Sequence, residues 1–130
     1  NMKYLLSILI LFSGLSFSEN AKYLICDEPY TLYPELKERH LVNISEELRM
    51  VSMWYLMNDG LKFEEFLFVD LKIPNNVYYE WAGFGWQLNR VTGILNDKHE
   101  CKKVSLEAHV KAAEELREIN KKTLKDRKIN

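Results

Sequence analysis

Aromatic side chains are the feature of this sequence best suited to contacting a ligand. Five of them lie close together in the chain: Tyr78, Tyr79, Trp81, Phe84 and Trp86. Aromatic rings on one face of a sheet can stack on sugars, bases or apolar ligands. A small sheet domain also needs aromatic rings for its core, and a core role is the favoured interpretation for most of this cluster. The candidate ligand-facing residues are Tyr78, Tyr79, Trp81 and Trp86.

The segment that follows the cluster is a turn motif that could also contact a partner. Its residues are Asn89, Arg90, Thr92 and Gly93. Asn89 can hydrogen-bond the backbone of the turn and Gly93 can take a bulge position, so folding alone would account for the motif. In the alternative interpretation, Asn89 and Arg90 lie at a loop tip and bind a partner.

The other polar residues do not form a catalytic or metal-binding pattern. Four carboxylates lie near the predicted sheet: Glu64, Glu65, Asp70 and Glu80. A glycosidase needs two carboxylates facing one cleft, and the spacing predicts no such pair. His99 and Cys101 are two positions apart, which fits neither common spacing of zinc ligands. The sequence therefore predicts no catalytic residue, no metal and no cofactor, and it favours a binding role over catalysis.

The N-terminal residues follow the pattern of a cleavable export signal. Lys3 supplies a positive charge, an apolar run from Tyr4 to Phe12 follows, and Ser16 and Ser18 are small residues at the positions that a signal peptidase reads. The run is too short to span a bilayer, which takes about 20 residues. We expect cleavage after Ser18 and a secreted or periplasmic protein.

The two cysteines, Cys26 and Cys101, lie near the two ends of the predicted sheet. In an exported chain an even number of cysteines indicates disulfide bonding, and two cysteines allow only one intramolecular bond. A bond that closes so long a loop stabilises a small domain by about 4 kcal/mol in the chain-entropy model. Free thiols and a metal site with His40 and His99 are the alternatives.

The order of apolar runs and turn signals predicts a mainly β fold. Strands are expected at 22–27, 39–44, 50–55, 77–81, 86–88, 94–95 and 101–104, and an apolar run at 63–73 lies between the third and the fourth of them. Turn signals every 8 to 12 residues favour a small antiparallel sheet, sandwich or barrel. Residues 46–57 are ambiguous between strand and helix, with strand favoured. Residues 1–18 are the predicted signal peptide and 19–104 the disulfide-closed β domain.

Residues 105–130 are predicted to form a C-terminal helix with a basic, frayed tail. Ser105 can cap the helix, and Leu106, Val110, Ala113 and Leu116 recur at helical spacing, so this stripe is expected to lie on the sheet. Five basic residues follow in the tail: Lys121, Lys122, Lys125, Arg127 and Lys128. Apart from the signal peptide, the tail is the only expected membrane contact, and a weak one.

Two patches of the sequence resemble a loose group of uncharacterised small exported bacterial proteins. The first is the early strand that ends in Cys26, and the second is the Asn-Arg-x-Thr-Gly-x-Leu stretch at 89–95, shortly before Cys101. The resemblance covers about residues 22–104 and implies a shared hairpin and a mainly β fold, with no known activity. The strand from Tyr23 to Cys26 is also similar to that of periplasmic inhibitors of c-type lysozyme, whose Ser/Gly-rich inhibitory loop has no counterpart here.

The overall charge of the chain indicates which classes of partner are disfavoured. The formal net charge is −1 at pH 7, which argues against nucleic acid as a partner. We therefore expect an accessory or binding protein of the cell envelope, with an envelope protein or a glycan as its partner. A small extracytoplasmic hydrolase, or an inhibitor similar to the lysozyme inhibitors, is the alternative.

Overall fold

The computed structural model describes residues 21–28, 39–56 and 62–125. The predicted signal peptide, with its cleavage site at Ser18, lies outside the described residues. Within them the chain is mainly β, as the sequence predicts, and it ends in one helix. The elements are β1 Lys22–Asp27, β2 Arg39–Ser45, β3 Met50–Leu56, β4 Phe63–Phe68, β5 Tyr78–Trp81, β6 Trp86–Asn89, β7 Ile94–Leu95, β8 His99–Val104 and α1 Leu106–Lys125.

The strands form a single antiparallel sheet that curls into a nearly closed barrel. Its order is β4-β3-β2-β1-β8-β7-β6-β5, so β4 and β5 are the two edges. The segment between these edges lies across the gap. Its Lys72 forms a bridge with Glu80 of β5, and the backbone N–H of Leu71 donates to the carbonyl of Arg49 at 3.3 Å. Among the predicted alternatives, the structure is therefore closest to a barrel.

The interior of the barrel is filled by alternate side chains of the strands. Because side chains alternate between the two faces of a strand, apolar residues two apart share the interior. The core residues buried there are Leu24, Cys26, Val42, Ile44, Val51, Met53, Leu71, Tyr79, Trp81, Leu88 and Leu95. The ambiguous segment after Glu46 is the strand β3 after a short turn, and its Val51 and Met53 are fully buried.

The predicted disulfide is present and joins neighbouring strands. Cys26 of β1 and Cys101 of β8 are directly opposite each other, with 75 residues of sequence separation. Cys26 is fully buried in the barrel core. The bond therefore joins the first and the last strand in chain order, which are neighbours in the sheet.

The helix α1 covers part of the outer face of the sheet. Its buried side chains pack with Leu41, Trp54 and Phe63 in a second apolar cluster. Ser105 caps the helix as predicted, because its hydroxyl accepts a hydrogen bond from the N–H of Ala108 at 3.1 Å.

The predicted apolar stripe of the helix is only partly correct. Ala113 and Leu116 are buried, whereas Leu106 and Val110 are 39% and 46% exposed. The face that packs on the sheet is instead completed by Ala112 and by two polar residues, His109 and Asn120. Small alanines let the helix approach the sheet closely. One hydrogen bond joins His109 to the backbone of Val42, and Asn120 bonds the backbone of Phe63.

Candidate functional site

The structure separates the predicted aromatic cluster into buried and accessible members. Tyr79 and Trp81 point into the barrel and are almost completely buried, and the indole N–H of Trp81 contacts the sulfur of Met53 at 3.4 Å. Tyr78 and Trp86 are half-buried. Phe84 lies in the turn between β5 and β6 and is 66% exposed. Phe84 is therefore the ring of this cluster most open to a ligand.

Phe84 borders a cleft on the outside of the barrel, which we call the outer cleft. The cleft has a volume of about 290 Å³ and is lined by Glu80, Phe84, Gly85, Gln87, Asn96 and Asp97. Its floor comes from the β5–β6 hairpin, in which Glu80 and Gln87 are cross-strand partners. The Gln87 side-chain amide donates to Glu80 Oε1 at 3.0 Å. One carboxylate oxygen of Glu80 is therefore held in place while Oε2 is not used by this bond.

The turn between β7 and β8 forms the second wall of the outer cleft. Asn96 and Asp97 both have positive φ angles, 50° and 57°, and the N–H of Lys98 donates to the carbonyl of Leu95 at 3.1 Å. This is the pattern of a type I′ turn, in which Asn and Asp are favoured. The geometry places the exposed carboxylate of Asp97 at the cleft.

Asn96 fixes this turn against the hairpin. Its side-chain oxygen accepts a hydrogen bond from the N–H of Gln87 at 2.7 Å, and its side-chain nitrogen donates to the carbonyl of Gly85 at 3.0 Å. Because Asn96 connects the two walls through backbone groups, the cleft has a rigid frame.

The carboxylate of Asp70 builds the turn that carries Phe84. It accepts hydrogen bonds from the N–H groups of Ala82 at 3.0 Å and Gly83 at 2.9 Å. These backbone donors hold the pKa of Asp70 below its usual value. Ala82, Gly83 and Phe84 all have positive φ angles, so this turn depends on the external support. The ammonium of Lys72 lies 4.7 Å from the centre of the Phe84 ring.

A second polar group, the charge cluster, consists of Lys22, Glu46, Tyr79 and Arg90. Glu46 accepts hydrogen bonds from the Tyr79 hydroxyl and, at 3.3 Å each, from Lys22 and Arg90. The Arg90 guanidinium lies 4.4 Å from the centre of the Tyr79 ring. The Tyr79 hydrogen bond lowers the pKa of Glu46, with Lys22 and Arg90 adding to the effect. Since these groups pair with one another, the cluster ties the β2–β3 turn to the barrel core.

This cluster also contains Arg90, one residue of the predicted turn motif. Arg90 is engaged by Glu46 and Tyr79 rather than displayed at a loop tip. Asn89 Oδ1 accepts the N–H groups of Val91 and Thr92, at 2.9 and 3.0 Å, and Gly93 has a φ of 74°. These contacts fit the folding role that its residue types predict, and a contact with a partner stays a prediction.

Two buried histidines line the interior of the barrel beside the disulfide. The rings of His40 and His99 are 4.2 Å apart between centroids and meet edge to face, and His40 also contacts Trp86 at 5.3 Å. Burial, and then the neighbouring His99, lowers the pKa of His40 to about 3, so the imidazole is neutral. Within residues 21–28, 39–56 and 62–125, no group of three or more potential ligands is arranged to hold a metal ion.

A further groove lies on the outer face of β1 and β8, and three of its charged side chains are held in ion pairs. It has a volume of about 320 Å³ and is lined by Ile25, Asp27, Glu28, Arg39, Glu100, Lys102 and Val104. Arg39 donates two hydrogen bonds to Asp27, at 2.9 and 3.1 Å, and Glu28 pairs with Lys98 at 3.5 Å. A ligand there would have to compete with these ion pairs.

The outer cleft contains residues that sequence reasoning missed. Gln87, Asn96 and Asp97 carry no motif, and they meet Glu80 only because β7 pairs with β6. The Asn-Asp pair is recognisable as a turn signal, but its position beside Phe84 depends on the barrel. No helix in the described part of the chain is long and apolar enough to cross a membrane.

Comparisons of the chain with protein-family models, with curated proteins and with solved structures gave no match. The function is therefore inferred from the geometry and chemistry of the site.

Proposed function

We propose that this chain is an extracytoplasmic binding protein of the cell envelope that recognises a glycan in the outer cleft. The observation that carries the proposal is the position of Phe84, a 66% exposed aromatic ring at the edge of a polar cleft. Aromatic rings pack against the apolar faces of sugars, and carboxylate and amide groups hydrogen-bond their hydroxyls.

The rigid frame of the cleft supports this proposal. Asn96 joins the two walls, and Asp70 supports the turn that carries Phe84. Binding costs less free energy when side chains and loops are already ordered. A site that is rigid before the ligand arrives is therefore suited to a weakly bound, polar ligand such as a sugar.

Export is part of the same proposal. The Cys26–Cys101 disulfide is compatible with a periplasmic or extracellular location, where such bonds persist. The apolar N-terminal run and the small residues before Glu19 have the pattern of the export signal that would direct the chain there. A glycan is a class of envelope ligand that matches this chemistry, because it combines hydroxyl groups with apolar ring faces.

The test is binding of soluble oligosaccharides to the disulfide-bonded protein. Calorimetry against neutral, acidic and amino-sugar oligomers is expected to show saturable binding for at least one class. Phe84→Ala is expected to weaken it about fivefold, because an aromatic contact is lost. Val91→Ala is the matched control, since Val91 is also an exposed apolar residue in a turn. Absence of binding to every class, or equal effects of both variants, would contradict the proposal.

A small extracytoplasmic hydrolase is the second candidate, because Glu80 and Asp97 line the same cleft. Glycosidases use two carboxylates that flank one glycosidic bond. An assay of new reducing ends on the same oligomers separates the two functions. A hydrolase releases reducing ends, and both Glu80→Gln and Asp97→Asn abolish the release, whereas a binding protein leaves the oligomers intact.

A further inference from the structure

We infer that the outer cleft selects a glycan whose sugars carry protonated amino groups. This inference rests on the proposed function and specifies the ligand class of the same site. It predicts a preference for amino sugars with free amines over neutral sugars and over sugars with carboxylates.

The charge of the cleft is the first observation. Two carboxylates, Glu80 and Asp97, are among its lining residues, and none of the described lining residues is basic. Glu80 uses Oε1 for the Gln87 amide, and Asp97 is exposed on its turn. Two acceptor groups of negative charge therefore face a ligand and favour donors with positive charge.

The amide groups of the cleft add to this preference. Asn96 gives its oxygen and one N–H to backbone groups, and Gln87 gives one N–H to Glu80. The hydrogen-bonding capacity that remains at the site is thus dominated by acceptors. A ligand rich in donors satisfies them, whereas a carboxylated sugar would be repelled.

The contact between Lys72 and Phe84 is the second, independent observation. The ring of Phe84 already holds an ammonium group, because Lys72 Nζ lies 4.7 Å from the ring centre. Aromatic faces attract cations at such distances. The structure therefore contains, within the chain itself, the kind of contact that a ligand ammonium would make at this ring.

The position of Lys72 leads to a prediction that distinguishes a site for cationic sugars from a site for neutral sugars. Its ammonium competes with a ligand cation, both for the Phe84 ring and through charge repulsion. Lys72→Gln is therefore expected to raise the affinity for a cationic glycan about threefold and to leave that for a neutral glycan unchanged. Glu80→Gln and Asp97→Asn are expected to lower it about threefold each.

The experiment compares three ligands by NMR titration of the disulfide-bonded protein, below the pKa of the ligand amine. They are a glucosamine oligomer, an N-acetylglucosamine oligomer of equal length, and spermidine, which carries amines without sugar rings. The glucosamine oligomer is expected to bind at least tenfold more tightly than either of the others, and the preference is expected to fall with added salt. Glu118→Gln, on the exposed face of α1, serves as the charge control.

The outcomes separate this inference from the proposed function. Equal binding of the acetylated oligomer overturns the preference for amines and leaves glycan binding intact. Equal binding of spermidine overturns the sugar part, since charge alone then accounts for the affinity. Binding of none of the three overturns this inference, and the proposed function is then decided by the wider set of oligosaccharides. An increase of affinity in Lys72→Gln limited to the glucosamine oligomer supports the inference directly.

Discussion

Single residues at the outer cleft act mainly by holding other groups in place. Asp70 does not line the cleft, yet its carboxylate binds the N–H groups that precede Phe84. Asn96 likewise gives its amide to the backbone of the neighbouring hairpin. The residues that a ligand would touch are few, and their positions depend on these supports.

Asp70→Ala tests the support of the Phe84 turn. We expect hydrogen exchange at the amides of Ala82 and Gly83 to accelerate about tenfold, because bonds to a charged acceptor are lost. Glycan affinity should fall, although Asp70 touches no ligand. Glu107→Ala, at the start of α1, is the control for removal of a surface carboxylate. Unchanged exchange at Ala82 and Gly83 would show that the turn is stable without Asp70.

The burial of His40 leads to a prediction of how the free energy of unfolding depends on pH. Its pKa is about 3 in the folded protein and 6.5 as the ordinary value, so the unfolded chain takes up the proton first as pH falls. The stability due to the neutral imidazole is therefore complete only well above pH 6.5 and is lost as the pH falls toward 3, with a decrease of about 2 kcal/mol by pH 5.

The measurement is urea unfolding at several pH values. His40→Gln, which does not titrate, should lose that part of the pH dependence. His109 contributes to the pH dependence in the same direction, because burial lowers its pKa as well. If the free energy of unfolding falls equally with decreasing pH in the His40→Gln variant and in the parent protein, His40 is not the source of the decrease.

At the level of elements, the strands were predictable and the packing of the helix was not. The alternation around Tyr79 and Trp81 predicts a strand with a buried face because the period of two is strong. The helix stripe through Leu106 and Val110 was wrong because apolar type alone does not show which face meets the sheet. His109 and Asn120 lie on that face and have polar partners there, which no helical period reveals.

Asn120 shows how a polar residue can anchor the helix to an edge strand. Its side chain accepts the N–H of Phe63 and donates to the carbonyl of the same residue, both at 2.8 Å. Asn120→Ala leaves both backbone groups without this partner and should lower the free energy of unfolding by about 2 kcal/mol. Urea unfolding measures the change, and Glu118→Ala on the exposed helix face should cost far less. Equal costs would contradict an anchoring role.

For the whole molecule, the sequence predicts the β class and the disulfide but not the closure of the barrel. Closure depends on Leu71 and Lys72, which lie beyond β4 and pair with Arg49 and Glu80. These contacts join residues that are distant in sequence, and local patterns carry little information about them. The outer cleft follows from the same closure. Of its lining residues only Phe84 and Glu80 stand out in the sequence, and Phe84 is not among the candidate ligand-facing residues.

The disulfide is expected to contribute much of the stability of the whole domain. It closes a loop across 75 positions, and the chain-entropy model gives about 4 kcal/mol for such a loop. The double variant Cys26→Ala with Cys101→Ala should therefore unfold at much lower urea concentration. A midpoint equal to that of the parent protein would show that the core alone determines stability.

The most direct test of glycan recognition is an NMR map of the bound ligand on the isotope-labelled protein. With a glucosamine oligomer, the largest shift changes should fall on Glu80, Phe84, Gly85, Gln87, Asn96 and Asp97, and those on Lys111 and Glu114 of α1 should be small. Shift changes concentrated at the helix, at the groove of Arg39 and Lys102, or nowhere in the protein would contradict the outer cleft as the binding site.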